Sequence, residues 1–323
     1  IIFLFIIFLP VSILTGSFLL NLLSILISVY VLYFILKNRY YNLIYNKQNI
    51  YLFILFISFI ISSIISDYPL TSLESSLAYL SNILMFVGLS FLALEGDDKK
   101  LLLSRIIFTI TIFLCLDLWV QKIFGNNIFG FPQQQAGRLT SIFKDEQIPG
   151  GIIFKLIPFV IYYLFKTTNL IFSKYKFLIF IFIYISILIT GERASSLLST
   201  ILISFLIFFN FRVLKKKILL LNLFIAFSLV GIIFFEKDSI VKERVQFTLE
   251  QSKDNIYLTL YGNSGKIFLD NNRLFGTGPQ SYRYVCKKHY TKCSTHPHNF
   301  FLEILSDGGL LAILFLTLSL FSM

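Results

Sequence analysis

Thr295-His296-Pro297-His298-Asn299 runs directly into Phe300-Phe301-Leu302-Glu303-Ile304-Leu305-Ser306-Asp307-Gly308-Gly309-Leu310-Leu311-Ala312-Ile313-Leu314-Phe315, and this junction decides how the chain is read. Residues 299–320 form an apolar run, and roughly 20 helical residues are enough to cross a hydrocarbon core of about 30 Å. A polar loop therefore ends at the mouth of a membrane span. Two of the three histidines of the chain lie at that mouth. Glu303 and Asp307 follow, one helical turn apart and so on one helix face. A helix meant only to face lipid would carry none of these groups. Ionisable side chains at a membrane edge are costly and mark a place where something polar is handled.

Outward from this junction, the 323 residues are 56% hydrophobic and 14% charged, with a mean hydropathy of +0.80. That is far more apolar than a soluble domain. The runs are continuous and lack the alternating pattern of about ten residues that marks a membrane barrel, so the expected class is all-α, a polytopic transmembrane helical bundle. Ten apolar runs stand out, at 1–14, 18–36, 50–66, 75–94, 101–120, 152–166, 175–190, 194–210, 217–235 and 299–320. The expected layout is nine spans with short loops over residues 1–235, one large loop over 236–297, and a further span over 299–320, all in one integral-membrane domain. Ile1 already lies within an apolar run, with no basic segment or cleavage site before it. The expected reading is an internal fragment, truncated at both ends, not a signal peptide.

Basic residues orient the spans. One set of alternate connections holds Lys37, Arg39, Lys47, Lys99, Lys100, Arg105, Lys166, Lys174, Lys176, Arg212, Lys215, Lys216 and Lys217; the opposite short connections hold Lys122, Arg138, Lys144, Lys155 and Arg193. By the positive-inside rule the richer set is cytoplasmic. Two spans separate Arg138 from Arg193 and two more separate Arg193 from His298, so all three are expected on the outer side with the large loop. The net charge of +11 largely reflects this topology and an affinity for anionic membrane lipids. No module for nucleic acid is present in the sequence.

Several smaller signals sit on the outer side. Cys286 and Cys293, seven apart in the large loop, read as a disulfide in an oxidising compartment, with two free thiols as the alternative; Cys115 lies within a span as a small buried hydrophobe. Asp238 to Ser252 alternates apolar and charged residues and reads as a helix lying in the membrane interface. Arg273-Leu-Phe-Gly-Thr-Gly-Pro-Gln-Ser-Tyr-Arg283 is a turn-rich approach to the histidines; Gly-Thr-Gly alone is a weak phosphate-loop signal, and a plain turn explains it as well. His298 has a bland alternative too, at the start of the helix with Asn299 as its cap. Arg193 has one as a partner of Glu192 in a tight turn, and Arg138 as an ordinary loop cation. His289 reads as an exposed loop residue.

His298-Asn299, nine residues and then Gly309 together resemble the bacterial O-antigen ligase and O-antigen polymerase superfamily. Arg138-Leu-Thr-Ser-Ile-Phe143 is similar to the family's arginine segment after the middle spans, and Thr190-Gly-Glu-Arg-Ala-Ser195 to its short outer turn. The resemblance takes in nearly the whole chain. Two positions depart from it: Ala312 stands where Gly, Thr or Tyr is common, and Lys266 where another arginine is expected. The resemblance implies glycosyl transfer at the periplasmic face of the bacterial inner membrane, from a glycan on undecaprenyl pyrophosphate. A ligase passes that glycan to lipid A core, and a polymerase passes it to another lipid-linked repeat.

Residue chemistry is consistent with this implication. A sugar pyrophosphate is an activated donor, so the protein must deprotonate an acceptor hydroxyl and hold the departing diphosphate. Histidine, with an ordinary pKa of about 6.5, suits the first task, and always-charged, fork-shaped arginine the second. The candidate base is therefore His298. Arg138, Arg193, Arg283, Lys266, His296 and Asn299 are candidates for binding pyrophosphate or glycan, and Glu303 and Asp307 for tuning the site. No cofactor is expected and no metal-ligand spacing is seen. The ligase-type reading is preferred, with the polymerase as its alternative. A transporter or flippase for a lipid-linked glycan is the rival from another class; its usual mark, spans broken at the midplane, is limited here to Pro158.

Overall fold

The computed structural model describes residues 2–15, 17–94, 96–133, 138–144, 146–210 and 256–322. Among them are eleven α-helices and two short 3₁₀ turns, with no strand. The α-helices are α1 (Ile2–Ser12), α2 (Ser17–Asn38), α3 (Lys47–Ile65), α4 (Pro69–Leu94), α5 (Asp97–Phe124), α6 (Pro149–Lys166), α7 (Leu170–Ile189), α8 (Arg193–Asn210), α9 (Ile256–Asp270), α10 (Tyr282–His289) and α11 (Phe300–Phe321). The all-α class is thus established. Six helices, α2 to α6 and α11, contain segments long and apolar enough to cross a membrane. The expected span at 217–235, the interfacial helix at 238–252 and the cluster Arg212 to Lys217 lie outside the described residues.

Helix ends follow local chemistry more closely than hydropathy does. α5 begins at Asp97, four residues before the apolar run, because Asp97 and Asp98 in its first turn complement the positive end of the helix dipole. It stops at Gly125 in a left-handed conformation, whose N–H returns to the Gln121 carbonyl 3.0 Å away. α4 begins at Pro69, six residues ahead of the expected run, with proline at the first helical position where a missing N–H is harmless. The polar residues that hide this turn from hydropathy are partly packed inside: Ser72 is fully buried, and its hydroxyl donates to that of Ser66 at 3.3 Å.

The helices fall into two compact units. One holds most of α2 with α3, α4, α9, α10 and α11. Its core packs Leu55 and Phe59 of α3 against Ile304, Ala312 and Leu316 of α11, with Tyr79 of α4 alongside. Ala312 is completely buried, so this position is a close-packing one. The other unit holds α5 to α8, stitched by the Trp119 indole donating to Ser186 at 3.1 Å and by Phe108 against Tyr163 and Phe172.

Candidate functional site

α11 is the scaffold of the site in the first unit, and it is not a continuous helix. Gly309 has φ 70° and ψ −165°, a conformation open essentially only to glycine. The break leaves helical backbone groups without partners, and the segment after α9 takes them up. Thr277 and Gly278 donate their N–H groups to the Ser306 and Asp307 carbonyls at 3.0 and 2.8 Å, while the N–H groups of Leu310 and Leu311 reach the carbonyls of Arg273 and Leu274 at 2.8 and 3.2 Å. The exchange is reciprocal, which satisfies backbone polar groups at membrane depth. A Cβ on Gly309 would overlap the Leu274 carbonyl, and one on Gly276 would lie 2.5 Å from the Asp307 carbonyl carbon. Gly-Thr-Gly is therefore a clamp on a broken helix, with the backbone amides of Thr277 and Gly278 spent on α11 carbonyls.

Asp307 is buried just before the break. Its Oδ2 accepts the Gln280 N–H at 2.8 Å and its carboxylate also receives the Tyr282 N–H, while its main-chain carbonyl takes the Ser62 hydroxyl at 2.7 Å. Its Oδ1 is buried with no hydrogen-bond partner. Glu303, one turn nearer the loop, is half-buried and interacts electrostatically with His296 and Arg283. Arg283 on α10 donates to Gln280 Oε1 at 3.0 Å and keeps a buried Nε without a partner. The structure thus brings His296, Arg283, Glu303 and Asp307 into one electrostatic cluster.

The histidine box caps this cluster. Asn299 closes the N-terminus of α11, its side-chain oxygen accepting from the N–H groups of Phe301 and Leu302 at 3.0 and 3.1 Å. Capping, the bland alternative raised above, accounts for this oxygen. His298 just before it has φ 55°, a left-handed conformation that histidine adopts more readily than most residues but still at a cost. Its ring stands edge-on to Tyr257 of α9 at 5.6 Å and lies 4.2 Å from the ring of His296. Its Nε2 is 3.2 Å from the Ser294 hydroxyl, and His296 Nδ1 is 2.9 Å from that of Thr295. Partial desolvation, and then the neighbouring His296, hold the His298 pKa below its ordinary value. The neutral, proton-accepting form therefore dominates at neutral pH.

Below the histidines, Cys286 and Cys293 form a disulfide with Cα atoms 5.8 Å apart. Cys286 packs into a small core with Ile267, Tyr282 and Val285, and Asn263 of α9 donates to the Lys292 carbonyl at 2.8 Å. Lys266 is exposed on α9, whose buried positions are Leu260, Asn263, Ser264 and Ile267. Neither α9 nor α10 is signalled by the sequence reading of this loop, although the spacing of those buried positions is helical.

Arg138 and Arg193 belong to the second unit. Arg138 is half-buried, bonds through Nη1 to Gln147 Oε1, and has a buried Nε without a partner. Arg193 opens α8. Its neighbour Glu192 accepts the N–H groups of Gly150 and Gly151 at 2.6 and 2.9 Å and the Ser195 hydroxyl at 2.9 Å through its two carboxylate oxygens. A carboxylate on the first turn of α6 is a stabilising cap. The same unit carries a polar knot that the sequence reading missed. Asp117 and Gln121, fully buried on α5, bind the loop through the backbone N–H groups of Ile128, Thr140 and Ser141 at 2.8 to 3.0 Å.

The fold and these ionisable groups define a multi-pass helical membrane protein with a polar cluster at a span mouth. Residues 177–317 match the family model described as O-antigen ligase. The match, over somewhat less than half of the chain, supports membership of the O-antigen ligase superfamily. No curated protein and no solved structure matches the chain.

Proposed function

We propose that this protein transfers a glycan from undecaprenyl pyrophosphate to an acceptor hydroxyl at the periplasmic face of the inner membrane, as an O-antigen ligase-type enzyme. The observation that carries the proposal is His298 at a span mouth, held in a left-handed backbone conformation beside His296 within the stretch that matches the family model. His298 is the general base. In the tautomer this step requires, Nε2–H donates to the Ser294 hydroxyl 3.2 Å away and Nδ1 takes the acceptor proton. The freed oxygen attacks the anomeric carbon of the donor, and the bond from that carbon to the diphosphate oxygen breaks, its electron pair leaving with the lipid pyrophosphate. The developing imidazolium lies beside His296, whose charge would oppose it, and near the cluster that holds Glu303 and Arg283. Arg283, Lys266, Arg138 and Arg193 are assigned to the diphosphate or glycan by charge and resemblance, and His296 and Asn299 to shaping the box.

The polymerase alternative shares this chemistry and differs in acceptor. Deleting the gene and analysing the lipid intermediates separates the two readings. Accumulation of long lipid-linked chains is the ligase result. Accumulation of single lipid-linked repeats contradicts the ligase reading and assigns the polymerase, and unchanged lipid-linked pools contradict both.

A further inference from the structure

Cys286 and Cys293 close a six-residue knuckle, Lys287-Lys288-His289-Tyr290-Thr291-Lys292. Lys287, Lys288 and Lys292 are all exposed on it. The knuckle is fixed from three directions: the disulfide, Asn263 on the Lys292 carbonyl at 2.8 Å, and the Tyr290 hydroxyl on Asp270 at 3.4 Å. Residues 256–299 hold Lys266, Arg273, Arg283, Lys287, Lys288 and Lys292 against a single carboxylate, Asp270. Presenting ammonium groups side by side on an immobilised turn is repulsive. Packing does not call for it, since all three lysines are exposed.

We propose that the lysine knuckle docks phosphoryl groups carried by the glycan acceptor. The proposal rests on the glycosyl-transfer reading and names the chemistry of the acceptor. Connectivity favours the acceptor over a bilayer headgroup. Ser294, next after Cys293, touches His298 at Nε2, and two residues of chain from Lys292 to Ser294 span at most about 7 Å. A phosphoryl group seated on the lysines therefore brings its own glycolipid to the base. Lysine serves this purpose as a point charge on a long stem, suited to phosphates at variable positions.

The test uses the full chain in phosphatidylcholine nanodiscs, with phosphorylated lipid A core glycolipid and the same glycolipid after phosphatase treatment as probes. Binding is measured without donor, and transfer with it. For the wild type, dephosphorylation is expected to weaken binding and raise the acceptor KM about tenfold, the sum of three modest ion contacts, with kcat held. K287Q/K288Q/K292Q is expected to show that weak binding with either probe, and K287R/K288R/K292R to bind as wild type does, which separates charge from folding. Equal binding of the two probes by wild-type protein overturns the proposal, whether or not transfer occurs. A binding loss restored by adding 30% phosphatidylglycerol to the nanodiscs, and indifferent to acceptor phosphate, assigns the knuckle to the bilayer and overturns it equally. Phosphate-dependent binding with no transfer leaves the knuckle assignment standing and removes the enzymatic reading instead.

Discussion

At the scale of single residues, the proposal gives the proton transfer to His298, and the environment of that ring sets the expected pH range. The pKa of its conjugate acid lies below the ordinary value because of partial desolvation and then His296. A general base works in its neutral form, so the transfer rate should stay level through neutral pH and fall only as the pH drops through that lowered value. The groups facing His298 are Tyr257 from α9 and His296 and Ser294 from the loop. His296→Ala removes a like charge, and the acidic limb of the rate profile should then move up towards the ordinary histidine value near 6.5. A limb that stays put or moves lower would contradict the coupling of the two rings. Glu192 gives a different lesson. Its carboxylate oxygens accept from Gly150, Gly151 and Ser195, which ties the start of α8 to the first turn of α6. Sequence adjacency does not reveal which helix terminus a carboxylate can reach.

At the scale of elements, the break in α11 organises the unit that holds the histidines. Gly309→Ala should destabilise the protein by at least about 1–3 kcal/mol from the backbone conformation alone, with the overlap against Leu274 added. Gly265→Ala on α9, where a Cβ meets nothing within 4 Å, should hold or raise the melting temperature through helix propensity. Thermal unfolding in detergent reads both; a Gly309→Ala protein melting with the wild type would refute the clamp. Spans such as α2, α3 and α5 are legible because twenty apolar residues in a row have few other uses. The break is not legible, because Gly308-Gly309 lies inside an apolar run and its partners, Arg273 to Gly278, sit in the preceding loop. The same limit hides Asp117 and Gln121, polar residues in an apolar helix whose hydrogen-bond partners lie in the loop after α5. α9 and α10 were missed for another reason: their buried faces pack on each other and on α11 rather than on lipid, so hydropathy barely registers them.

At the scale of the whole molecule, the account requires α9, α10 and the histidine box to face outward. Cys115 is buried and the other two cysteines are disulfide-bonded, so an engineered thiol reports with little background. Gly262→Cys should react with an impermeant thiol reagent in intact spheroplasts and Lys47→Cys should not. The reverse labelling would invert the topology and place the histidine box in the cytoplasm. The central claim is glycan transfer with His298 as base, and it is tested most directly with purified, folded variants in vesicles supplied with a lipid-pyrophosphate-linked glycan. His298→Ala should lose about 10²–10⁴-fold in turnover while donor binding survives, and Arg193→Lys should already be impaired because lysine lacks the bidentate fork. Transfer by His298→Ala within a few-fold of wild type would contradict the account and leave the residue as no more than the approach to a helix cap.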